Sequence, residues 1–171
     1  MPLAEPKGMR LRPTTGMVRE AIFNMLAGRL EGAAVLDLFA GTGALGIEAL
    51  SRGAARAVFV EGEAAACQAI LQSLARGAFG ERGTVLRGRL PSALRNVEGT
   101  FDLVLMDPPY DSEAAAPVLE AVGPLVAAGG VVVYEHASRY NPPERPAGLL
   151  LQDRRVYGDS AVALYGPEEG E

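Results

Sequence analysis

Cysteine is almost absent: Cys67 is the one cysteine in 171 residues, which excludes an internal disulfide. It falls in an alanine-rich helical stretch and reads as a small buried apolar side chain. Histidine is as scarce, with His136 alone, and no metal site is expected. Long apolar runs are missing too. Nothing approaches the roughly 18 residues of a membrane span, and residues 1–9 hold no signal-peptide core, so a cytoplasmic location is expected. Positive charge is in deficit, 16 Lys and Arg against 21 Asp and Glu, a net of −5. That balance excludes a protein that covers itself in nucleic acid, because phosphate contacts need Lys and Arg.

What is present describes an ordinary globular chain. An apolar fraction of 49% and a charged fraction of 22% suit a single domain with its own core. The charge is unevenly spread. Residues 1–30 carry Lys7, Arg10, Arg12, Arg19 and Arg29 against Glu5 and Glu20, a net of +3, which leaves −8 on the other 141. Any polyanion contact should therefore centre on this N-terminal region, the competing reading being a merely solvated face.

Pro2, Pro6, Gly8 and Pro13 disfavour a helix at the start and predict an extended arm. Val18, Ile22, Met25 and Leu26 then recur at helical spacing, predicting an amphipathic helix over 15–30 with Thr14 or Thr15 as its N-cap. After Gly32, strands at 34–39, 56–61, 84–87, 101–106 and 131–135 alternate with helices at 44–52, 63–76, 92–95 and 113–127. Pro117 and Pro124 are potential interruptions of the last helix. The segments 149–156 and 160–165 form a terminal hairpin around Tyr157-Gly158-Asp159. The expected architecture is α/β: a doubly wound, mainly parallel seven-stranded sheet with helices on both faces and a C-terminal antiparallel hairpin at one edge. A basic arm and helix (1–30) would precede a body (31–166) and a short acidic, disordered tail (167–171).

Two segments carry chemistry. The first runs from Val35 to Gly46, from a strand through a glycine turn into a helix. Gly41 and Gly43 let the backbone approach a ligand, Gly46 permits close helix–strand packing, and Glu61 suits ribose hydroxyls. A dinucleotide enzyme would use the same geometry. Asp37 partly separates the two readings, because a carboxylate there attracts an ammonium group and repels a pyrophosphate. Its plainer role is a hydrogen bond to the following turn.

The second is Asp107-Pro108-Pro109-Tyr110, directly after the fourth strand. An exocyclic amine on a base is a poor nucleophile, its lone pair being delocalised into the ring. Asp107 and the Pro108 carbonyl can each accept one of its hydrogens, and Tyr110 offers a face for the base. A proline turn with Tyr110 as packing is the alternative. In a doubly wound sheet the first and fourth strands are neighbours, so both motifs face one crevice.

With both motifs in place, the chain resembles class I S-adenosylmethionine-dependent methyltransferases, specifically the RsmD-type family acting on a guanine N2 of 16S ribosomal RNA. The resemblance also rests on Arg12-Pro13-Thr14-Thr15, the run from Val18 to Asn24, and Tyr157-Gly158-Asp159. It implies S-adenosylmethionine as cofactor, held by Asp37, Phe39, Gly41, Thr42, Gly43 and Glu61. Asp107, Pro108, Pro109 and Tyr110 would hold the guanine amine. Lys7, Arg10, Arg12 and Arg19 would face small-subunit ribosomal RNA, free or within an assembled particle. Arg89, after Gly88, stands where such enzymes often place an acid near the adenine. The family gives His136 no role. Rival readings are a DNA adenine-N6 methyltransferase, a protein-glutamine methyltransferase and, from another class, a dinucleotide-binding oxidoreductase or nucleotide sensor.

Overall fold

A computed structural model describes residues 16–168. Lys7, Arg10, Arg12, both candidate N-cap threonines and residues 169–171 lie outside the described residues. The first helix, α1 (Gly16–Met25), buries Val18, Ile22 and Phe23. It stops short of the expected residue 30 because Gly28 takes a left-handed φ of 86°, which ends the helical path.

The strands are β1 (Ala34–Leu38), β2 (Arg56–Glu61), β3 (Gly83–Arg87), β4 (Phe101–Met106), β5 (Val126–Ala137), β6 (Leu149–Tyr157) and β7 (Ser160–Pro167). They form one seven-stranded sheet in the order β3-β2-β1-β4-β5-β7-β6. The first five are parallel, while β7 runs antiparallel between β5 and β6. The expected hairpin is therefore present, with its second strand inside the sheet. Composition accounts for that order: β7 buries Ala161, Val162, Ala163 and Tyr165, whereas β6 carries Gln152, Asp153, Arg154 and Arg155 and blunts the edge. Pro167 ends β7 paired with Leu149, so the sheet continues past residue 166.

Helices α2 (Ala44–Ser51) and α3 (Ala64–Arg76) join the first strands, and α4 (Ala115–Ala121) precedes β5. Of the helix expected over 113–127, only these seven residues form α4. Pro117 sits in its first turn, where no N–H is required, while Pro124 cannot continue the ladder and falls in a separate 3-10 turn, Gly123–Leu125. β5 starts earlier than expected, at Val126.

Alternating side chains of the strands feed two cores. Val18, Ile22 and Phe23 of α1, with Leu26 just after it, join Val35, Phe59, Leu103 and Leu105 on one face. Leu36, Leu38, Val104, Met106, Val118, Leu119 and Tyr134 fill the other. Each fully buried side chain of this kind contributes about 1.5–3 kcal/mol. No helix among the described residues is long and apolar enough to cross a membrane.

Candidate active site

Beyond Leu38 the chain leaves β1 through Phe39, at a φ of 57°, and stays beside β2 through an Ala40 N–H to Val60 carbonyl bond of 3.1 Å. Gly43 closes the turn on the Ala40 carbonyl at 2.8 Å and caps α2 at a φ of 81°, a conformation that favours glycine. Gly46 is required for a different reason. A Cβ there would lie 2.4 Å from the Phe59 ring. The bare backbone lets α2 settle onto the sheet and bring the Gly46 N–H to 3.0 Å from Asp37 Oδ2.

Asp37 is 1% exposed. Burial pushes its carboxyl well above the ordinary value; the Gly46 N–H opposes that shift, while the charges of Asp107 and Glu61 add to it. Glu61 ends β2 and Asp107 follows β4, the two strands that flank β1. Glu61 is braced by backbone: Oε1 accepts the Gly41 N–H at 2.8 Å and Oε2 the Glu63 N–H at 2.9 Å. Each oxygen retains a further lone pair for a ligand. The Glu61 carbonyl accepts the Gly88 N–H at 3.0 Å, which brings the loop carrying Arg89 alongside Gly62. Cys67 donates its buried thiol to the same carbonyl at 3.5 Å, and burial raises its pKa.

On the other side of the crevice, β4 pairs with β1 up to the rung Leu38–Met106. Asp107 is therefore the next residue after Met106, as Phe39 is after Leu38. Asp107 is half-buried, Pro108 buried, Pro109 exposed and Tyr110 half-buried. The Pro109 carbonyl accepts the Ser112 N–H at 3.0 Å and folds the loop back towards α4. The Tyr110 hydroxyl hydrogen-bonds the hydroxyl of Ser160, at the head of β7. Sequence reasoning missed Ser160, although it follows Tyr157-Gly158-Asp159, the segment it did single out.

Arg19 lies on α1, half-buried, next to Val18, which joins Ile22 in the core. His136 is 3% exposed, with its ring 5.2 Å from that of Tyr134 and 5.6 Å from that of Tyr140. Nδ1 lies 2.8 Å from the Ala137 carbonyl and Nε2 is buried without a partner. Burial lowers its pKa and favours the neutral ring. A shallow groove lined by Arg29, Glu31, Asp102 and Gly129 opens at the opposite end of the sheet and holds none of the candidate site residues.

A family model described as "Conserved hypothetical protein 95" matches residues 1–166. "Ribosomal RNA small subunit methyltransferase D" of Escherichia coli K12 is 37% identical over 174 aligned positions, covering 99% of this chain and 86% of that protein. The chain belongs to this RsmD-type methyltransferase family. A relative of the same name from Haemophilus influenzae is 33% identical and covers 96% of the chain and 86% of its own length. Among solved structures, a conserved hypothetical protein from Streptococcus pyogenes superposes with a TM-score of 0.81 at 38% identity, covering 88% of this chain and 96% of that one. A ribosomal protein L11 methylase from Lactobacillus delbrueckii shares the fold alone, with a TM-score of 0.76 at 14% identity over 95% of this chain and 83% of that one.

Proposed function

We propose that this RsmD-type methyltransferase uses S-adenosylmethionine to methylate the exocyclic N2 amine of a guanine in small-subunit ribosomal RNA. The observation that carries the reading is that Asp37 and Glu61 are each bound to the glycine turn and its helix, through the Gly46 and Gly41 N–H groups, while β4 delivers the Asp107–Tyr110 loop beside the end of β1. Two carboxylates beside the glycine turn favour a ligand bearing an ammonium and a sulfonium, and they repel the pyrophosphate of a dinucleotide. The donor set therefore fits this cofactor.

Asp37 attracts the ammonium while its Oδ2 anchors α2. The turn through Phe39, Gly41, Thr42 and Gly43 would hold the cofactor, and Glu61 would accept from its ribose hydroxyls. When bound, the cofactor supplies an electrophilic methyl group on a positively charged sulfur. Asp107 and the Pro108 carbonyl accept the two amine hydrogens, hold the nitrogen in line and restore electron density to it. With the methyl group supplied by the cofactor passed to this nitrogen, Asp107 would take the proton that the nitrogen must lose. Pro109 stiffens the loop, and Tyr110 supports the base by stacking. Lys7, Arg10, Arg12 and Arg19 contact RNA phosphates. An acidic body with a small basic arm favours an assembled particle, whose proteins add contacts.

The test is incubation with methyl-labelled S-adenosylmethionine and small-subunit particles from a strain lacking the homologous enzyme, with protein and DNA offered in parallel. Label in RNA, lost in Asp107→Ala, is the expected result. Label on protein or DNA alone moves the substrate to a rival, and no cofactor binding sinks the reading.

A further inference from the structure

The β6–β7 turn does more than return the chain to the sheet. Asp159 accepts the Ser138 N–H on its carbonyl at 2.8 Å, and Ser160 pairs with Ala137 on β5 and with Tyr157 on β6. Ser160 is therefore fixed by two strands and by the segment that follows β5. Its hydroxyl meets that of Tyr110, fifty positions earlier. Tyr110 lies in a turn between β4 and α4, outside the strand ladder that holds Ser160.

We propose that Ser160 is a positioning residue of the amine site: its hydroxyl fixes where the far end of the Tyr110 ring lies, and so the seat of the target base. The hairpin thereby supplies a wall of the substrate pocket. This rests on the reading of Tyr110 as the stacking surface. A tyrosine side chain swings about its first side-chain torsion, and a hydrogen bond at the far hydroxyl restrains that swing. The ring is then ready before the base arrives, and ordering it is not charged against binding. The cofactor wall contains neither residue.

Ser160→Ala, Ser160→Thr, Tyr110→Phe and the double variant Ser160→Ala/Tyr110→Phe, made in the full chain, test this. Methyl transfer to small-subunit particles is measured together with cofactor binding by calorimetry. Ser160→Ala and Tyr110→Phe should each lower kcat/KM for the particle by about 3- to 10-fold, the range of one neutral hydrogen bond. The double variant should lose no more than either single one, Ser160→Thr should rescue, and cofactor affinity should stay level. Full activity in Ser160→Ala, multiplying effects in the double variant, or a parallel loss of cofactor binding each overturn the proposal alone. A wild-type chain that binds cofactor and methylates no RNA overturns the functional reading and this inference with it.

Discussion

The two walls of the crevice are built by different means. On the side of the glycine turn the contacts run from backbone N–H groups to carboxylates: Gly46 to Asp37 nine positions away, Gly41 to Glu61 twenty away, and Glu63 to Glu61 two away. On the side of the Asp107–Tyr110 loop, the Tyr110 hydroxyl hydrogen-bonds the hydroxyl of Ser160, fifty positions away. Backbone donors are fixed once the sheet and α2 have formed, so the first wall is set by the fold itself. The second depends on side chains meeting across the sheet, and it should yield to single substitutions that leave the fold intact.

The sharpest way to break this contrast is Asp107→Ala. Methyl transfer should fall by about 10²- to 10⁴-fold, the span of a general acid–base contribution, while cofactor affinity changes by less than about threefold. Equal losses in both would merge the two walls into one. Asp37→Asn should do the reverse, weakening cofactor binding by about 10- to 100-fold through loss of a charged contact, as calorimetry would measure.

The same substitution should raise the melting temperature of the cofactor-free chain. Burial raises the Asp37 pKa in the folded state, so the folded chain holds that proton more tightly than the unfolded one. The resulting destabilisation is fully present above the folded pKa and is relieved as pH falls towards the ordinary carboxylate range. Asparagine removes the dependence and keeps an oxygen for the Gly46 N–H. Thermal melts of both proteins at neutral and mildly acidic pH should converge as pH falls.

Gly46→Ala comes next. Its Cβ would meet the Phe59 ring at 2.4 Å, and overpacking of that kind costs about 1–3 kcal/mol, readable by denaturant titration. The smallest effects belong to the arm. Lys7→Ala and Arg10→Ala should each weaken particle binding a few-fold and flatten its salt dependence by about one unit of slope, without touching cofactor affinity.

Legibility in the sequence follows the same division. The glycine turn is readable because a few adjacent residues carry its chemistry, and Phe39, Gly41 and Gly43 indeed adopt positive φ. The doubly wound order is readable from alternating strands and helices, and it brings β1 beside β4. The end of α1 is less so, since the apolar spacing continues through Leu26 while a single glycine, Gly28, decides where the helix stops. The place of β7 between β5 and β6 depends on which hairpin strand is the more apolar, a comparison that periodicity within either strand does not make. The Asp37–Gly46 bond and the Tyr110–Ser160 pair need coordinates, because neither spacing nor residue type distinguishes them from a neighbouring carboxylate or serine.

The most direct measurement digests the labelled RNA to nucleosides after methyl transfer to small-subunit particles and separates them against standards. The account expects the label in N2-methylguanosine and its disappearance in Asp107→Ala. Label in N6-methyladenosine, or on a ring atom of any base, would contradict the assignment of this crevice to the guanine amine.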